Sequence, residues 1–124
     1  MPKGRGFLGG TMKNYYRRYR GTAGATGVVS LIQYPDFSNG VDTLDAWLAV
    51  MGVNHIALQV EGLDGEVEFQ GCNGDPDVAA EWYTIEALTV DGRIISNDDP
   101  VDFVRVNVTT YTSGTMSAML TLEV

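Results

Sequence analysis

The chain reads as an all-β protein, an antiparallel β-sandwich of jelly-roll type preceded by an extended basic N-terminal arm. Three observations predict it. From Val28 onward, apolar and polar residues alternate with a period of two in run after run, as half-buried strands require. Glycine-bearing turns punctuate these runs at roughly ten-residue spacing, the rhythm of a sandwich. The cations are gathered at one end: six of the eight Lys and Arg fall in the first twenty residues, which hold no Asp or Glu.

The first segment, MPKGRGFLGG, holds four glycines and a proline. The cluster Tyr15-Tyr16-Arg17-Arg18-Tyr19-Arg20 follows, then the small-residue run Gly21-Thr22-Ala23-Gly24-Ala25-Thr26-Gly27. Little in residues 1–27 builds a core, so they are predicted to form an arm in front of a folding unit spanning 28–124.

That unit opens with a β-rich run, Val28–Tyr34, ended by Pro35-Asp36. Residues 41–51 admit a helix opened by Asp42 or Thr43 and closed at Gly52. A strand suits the β-rich remainder better. Asn54–Glu61 puts Ile56, Leu58 and Val60 on one face, and Glu66–Gln70 turns Val67 and Phe69 inward. Asp102–Tyr111 does the same with Val104, Val106 and Val108. Thr115–Val124 does so with Met116, Ala118, Leu120, Leu122 and Val124. One apolar face per strand calls for two sheets packed on each other. Leu63-Asp64-Gly65, Asp91-Gly92 and Ser113-Gly114 supply glycine for positive φ and read as tight hairpins. Longer loops are marked by Cys72-Asn73-Gly74-Asp75-Pro76 and Asn97-Asp98-Asp99-Pro100.

Length and composition bound the rest. At 124 residues the chain suits one domain. A single cysteine leaves no internal disulfide framework and no Cys-rich zinc site. No apolar run approaches the roughly 20 residues of a membrane span. No apolar signal core follows the basic start, so a soluble domain from a reducing compartment is expected. The net charge is −8, an average of a +6 segment over residues 1–20 and a −14 remainder. The acidic total therefore does not exclude an anionic partner for the arm.

The search for chemistry returns little. His55 sits mid-strand on a polar face, without a G-x-S-x-G turn. Cys72 reads as a small turn residue with no basic neighbour to activate it. Carboxylates cluster at Asp75/Asp77 and Asp98/Asp99/Asp102. Oxygen-rich loops of this kind hold calcium, but no EF-hand spacing is present and ordinary turn chemistry explains the same residues. Asn107-Val108-Thr109 matches the glycosylation triplet yet falls inside a predicted strand. With no phosphate loop, dinucleotide fingerprint or zinc spacing, the residues point to no enzyme, no metal and no cofactor. The candidate site is the arm itself: Lys3, Arg5, Lys13, Tyr15, Tyr16, Arg17, Arg18, Tyr19 and Arg20. Arginine forks bind carboxylates or phosphates, and tyrosines pack into grooves or stack on bases. Docking on an acidic protein surface, such as another copy's body, fits best; nucleic acid comes second.

From Trp47 to Val124 the chain resembles small β-sandwich virion proteins of tailed bacteriophages. These include capsid decoration or cement proteins and related tail or fibre modules. The pattern is a Trp-containing strand, a glycine turn and an apolar strand, here Trp47, Gly52 and Ile56-Ala57-Leu58-Gln59-Val60-Glu61-Gly62. A Gly-x-Val-x-Phe-x-Gly strand and a polar loop come next (Gly65 to Asp75), then the aromatic strand Trp82-Tyr83-Thr84. Pro100 leads to the Arg-bearing strand Phe103-Val104-Arg105-Val106 and the turn Thr112-Ser113-Gly114-Thr115. The resemblance implies a virion location and a structural role without catalysis. It also implies the major capsid protein or other virion proteins as partners, and a homo-oligomeric arrangement. A tail, neck or fibre module binding carbohydrate or another virion protein is the alternative, with Trp47, Trp82 and Tyr83 as the aromatic candidates.

Overall fold

A computed structural model describes residues 16–33, 46–89, 91–96 and 100–123. These build ten strands: β1 (Tyr16–Ala23), β2 (Gly27–Val28), β3 (Ile32–Gln33), β4 (Leu48–Ala49) and β5 (His55–Glu61) come first. β6 (Asp64–Cys72), β7 (Tyr83–Leu88), β8 (Gly92–Ser96), β9 (Phe103–Ser113) and β10 (Met116–Glu123) follow. One 3-10 turn, Ala79–Glu81, interrupts the connection between β6 and β7. The strands form two five-stranded sheets. The front sheet has the order β3-β1-β10-β5-β8. In the back sheet β9 lies between β6, flanked in turn by β7, and the two short strands β2 and β4. Every pairing is antiparallel.

The two-sheet sandwich expected from the alternation is what forms, and among the described residues the inward faces are those the alternation assigns; Val124 lies outside them. From the front sheet Ile56, Leu58, Val60, Ala118, Leu120 and Leu122 are buried. From the back sheet Val67, Phe69, Val104, Val106 and Val108 close against them. The core is wholly apolar, so burial of hydrocarbon rather than any polar network holds the sheets together.

The connectivity departs from expectation. Leu63-Asp64-Gly65, Asp91-Gly92 and Ser113-Gly114 are not hairpins. β5 and β6 belong to different sheets, as do β7 and β8, and β9 and β10. Each of these glycine turns carries the chain across the sandwich, and only β6 and β7 are consecutive strands paired with each other. Short glycine turns serve both purposes, because positive φ reverses the chain whichever sheet receives it. At one end two of these corners pack backbone to backbone. Gly62 (φ 77°) and Gly114 (φ 90°) both lie in the left-handed region. A Cβ on Gly114 would sit 2.7 Å from the Gly62 carbonyl oxygen. The Tyr111 hydroxyl donates to the Gly114 carbonyl at 2.7 Å, and Ser113 Oγ to Asp64 Oδ2 at 3.1 Å, fastening the corner.

A second correction concerns the arm. Residues 16–23 are not a tether but an interior strand. β1 pairs with β10 over eight residues and with β3 at Tyr19 and Arg20. Its inward positions carry Tyr19, Gly21 and Ala23, and Tyr19 and Ala23 pack on the core. Gly21 is required by close approach: a Cβ there would lie 2.5 Å from the Ser30 carbonyl oxygen and 2.7 Å from Val29 Cγ1. The sandwich therefore begins by residue 16, not 28; residues 1–15 lie outside the described residues. The run Val28–Tyr34 is also not one strand. β2 joins the back sheet, Val29 and Leu31 dive into the core, and β3 returns to the front sheet. Within 41–51, Leu48–Ala49 is the strand β4 against β9, and 34–45 lie outside the described residues.

Candidate functional site

The outward face of β1 presents Arg18, Arg20 and Thr22, all exposed. In antiparallel pairs, directly opposed residues project from the same face of the sheet. Following register from strand to strand, Arg20 faces Ile32 on one side and Met119 on the other. Met119 faces Gln59, and Gln59 faces Arg93. One row thus crosses all five strands, with an arginine near each end and a half-buried methionine between them. Three interstrand steps separate the arginines by about 14 Å. The neighbouring row runs Arg18–Thr121–Ala57, with Arg18 about 7 Å along β1 from Arg20. The two acids of the face lie in flanking rows: Glu61 opposite Ser117, and Glu123 opposite His55. A groove of about 320 Å³ lies where β1 runs past β3, lined by Arg20, Thr22, Ser30 and Ile32 around Gly21.

Charge divides between the sheets. The front strands carry Arg17, Arg18, Arg20 and Arg93 against Glu61 and Glu123. The back strands carry Arg105 against Asp64, Glu66, Glu68 and Glu86. The connection over residues 73–82 adds Asp75, Asp77 and Glu81.

Of the residues singled out in the sequence, Arg17, Arg18, Tyr19 and Arg20 lie on β1, and Tyr16 begins it. The strand splits them: Arg18 and Arg20 face outward, while Arg17 and Tyr19 share the inward parity, with Tyr19 packed against the core. Lys3, Arg5, Lys13 and Tyr15 lie outside the described residues. Arg93, Gln59, Met119 and Ile32 complete the face and were not singled out. Alternation within each strand assigns them outward, but only pairing register brings them into one row.

The back sheet holds a different arrangement. Gln70, 8% exposed, accepts from Arg105 Nε at 2.7 Å through Oε1 and donates through Nε2 to Glu68 Oε1 at 2.9 Å. Thr84 Oγ1 donates to the same carboxylate oxygen. These two hydrogen bonds, Thr84's above Gln70's, hold Glu68 below the ordinary carboxylate pKa of 4.5. The Arg105 guanidinium lies 4.3 Å from the centre of the Trp82 ring, and Trp82 Nε1 donates to the Pro76 carbonyl at 2.9 Å. Partial burial under this loop pulls Arg105 below its usual pKa, opposed by nearby Cys72. Asn73 ties the loop's start to the strand beyond: its Nδ2 donates to the Pro100 carbonyl at 3.3 Å, and its Oδ1 accepts from the Asp102 N–H at 2.9 Å. The network therefore pins residues 73–82 onto β6 and β9.

The remaining sequence candidates fall as follows. Cys72 is not a turn residue; it ends β6, fully buried, opposite Phe103. Phe103 stacks edge-on against Trp47, centroids 5.1 Å apart. Trp47 and Trp82 are half-buried and Tyr83 is 41% exposed. His55 is exposed on the front face. Asp75 Oδ1 accepts from the Asp77 N–H at 2.9 Å, the turn chemistry expected of that pair. Among the described residues no group of three His, Cys, Asp or Glu side chains gathers in metal-binding proximity. No described helix is long and apolar enough to cross a membrane.

The fold and this face define the class: an all-β sandwich of two antiparallel sheets with an arginine-bearing front. No family model matches the chain, and no curated protein does. Among solved structures, a crystal structure of PirA aligns over 95% of this chain and 99% of that one, at 12% identity and a TM-score of 0.33. A likeness at that level carries no argument about fold or function.

Proposed function

We propose that this chain is a virion structural protein, a capsid cement or decoration protein of a tailed phage. It docks its N-terminal segment and its sandwich on acidic surfaces of neighbouring subunits. The observation that carries the reading is the separation of charge. Cations lie on the N-terminal segment and on the sheet that β1 continues from it, upon an otherwise acidic body. The sequence resemblance to such proteins over 47–124 supports it, as does a core of hydrocarbon fastened at its corners. A subunit that binds only the assembled shell stabilises that shell by mass action, and many such contacts in one lattice act at high effective concentration. Sugar stacking, the alternative role for Trp82, has one ring face already covered by Arg105 and the indole N–H already used.

The test is cosedimentation with shells assembled from the major capsid protein encoded alongside the chain. Saturable binding that weakens with salt, and is lost when residues 1–13 are deleted, is the expected result. Full occupancy by the deleted form, or no binding by the intact chain, overturns the reading.

A further inference from the structure

We propose that the arginine rows of the front sheet are a docking surface for a second copy of this chain. They meet that copy at its carboxylate-bearing side, formed by the back sheet and residues 73–82. The inference gives the assembly reading above one specific partner, and rests on that reading only for its setting.

The chemistry begins with spacing. Arg20 and Arg93 stand about 14 Å apart with Met119 between them and Ile32 outboard, which suits a broad, partly apolar partner rather than a small anion. Arg18 and Arg20 are two residues apart on β1. On the other side of the molecule Glu66 and Glu68 are likewise two residues apart on β6, so each pair is spaced by about 7 Å. Asp77 and Glu81 extend the acidic side, and both are exposed.

The choice of partner follows from the charges around the rows. A nucleic acid approaching them meets Glu61 on one side and Glu123 on the other. A second copy offers the opposite sign at matching intervals. The fifth described arginine, Arg105, does not spoil that side, because it is tied to Gln70 and Trp82. The contact joins two different faces, front to back. A bound pair leaves one unused front and one unused back, so the arrangement extends as a ring or a row, as a lattice-forming subunit needs. Exposed ion pairs are individually weak and screened by salt, so the contact is strong only when repeated.

Sedimentation velocity of the full chain tests this. In about 50 mM salt the wild type self-associates, and in about 500 mM salt its association weakens at least ~10-fold. The triple variant R18E/R20E/R93E and the triple variant E66K/D77K/E81K each stay monomeric. Mixed in equal amounts they associate, because each supplies the face the other has lost. Thermal unfolding of both variants confirms that they are folded, and the salt series of the wild type stands independently of them. A wild type that is monomeric in low salt overturns the inference. So does undiminished association of either folded variant alone, or a mixture that stays monomeric. A chain that is monomeric yet binds shells overturns this inference alone. One that self-associates but ignores shells overturns the assembly reading alone.

Discussion

Deleting residues 1–27 and deleting residues 1–13 have sharply different consequences if β1 is an integral strand. The shorter deletion leaves every described element in place. The longer one strips β10 of its partner over eight residues and leaves β3 without the strand it pairs with. Val29 and Leu31, 2% and 0% exposed, then lose the surface they pack on. At about 1.5–3 kcal/mol for each fully buried Val or Leu, with a smaller share from half-buried Tyr19, about 5 kcal/mol is lost. That is a third or more of the roughly 5–15 kcal/mol that stabilises a domain. Urea unfolding followed by the fluorescence of Trp47 and Trp82 measures it. With a slope of about 1.5 kcal/mol/M, the midpoint of the 28–124 chain falls by about 3 M, and that of the 14–124 chain by less than about 0.5 M. A 28–124 chain that unfolds cooperatively at the midpoint of the intact protein would refute the strand assignment.

Three further outcomes follow from the same geometry. Gly21→Ala pushes a methyl into the Ser30 carbonyl and lowers stability by about 1–3 kcal/mol in the same urea assay. Arg105→Ala leaves the buried Gln70 oxygen without its donor and uncovers one face of Trp82; it costs about 1–3 kcal/mol and shifts the tryptophan emission. Glu68 is more acidic in the fold than in the unfolded chain, so its ionisation contributes stability above about pH 4.5 that is lost as pH falls through the folded value. Glu68→Gln therefore narrows the stability difference between pH 7 and pH 3 in thermal melts, and an unchanged difference contradicts the hydrogen-bond assignment.

How much of this was legible in the sequence depends on what alternation encodes. Ile56, Leu58 and Val60, or Val104, Val106 and Val108, declare an inward face because every second residue is apolar, and the structure agrees residue by residue. Alternation does not say which sheet a strand joins. Ser113-Gly114 has the chemistry of a hairpin turn, and nothing local distinguishes a reversal within one sheet from a corner between two. β1 was hidden for another reason. Its inward parity carries Arg17, Tyr19, Gly21 and Ala23; the close passage of Val29 and Ser30 holds position 21 to glycine, and small residues beside arginines resemble a linker. The period-two placement of Tyr19 and Ala23 was the available signal. The front rows depend on register across five strands, and the Arg105–Gln70 bond spans 35 residues; such contacts exist only after folding.

On the proposed reading, the arginine face of the front sheet meets acidic protein surfaces in an assembly. A cryo-electron microscopy reconstruction of shells saturated with the protein tests this. The expected result is bound copies in which Arg18, Arg20 and Arg93 lie within ion-pair distance of carboxylates on an adjoining subunit. Bound copies whose front sheet faces solvent, or shells that carry no copies at all, would contradict it.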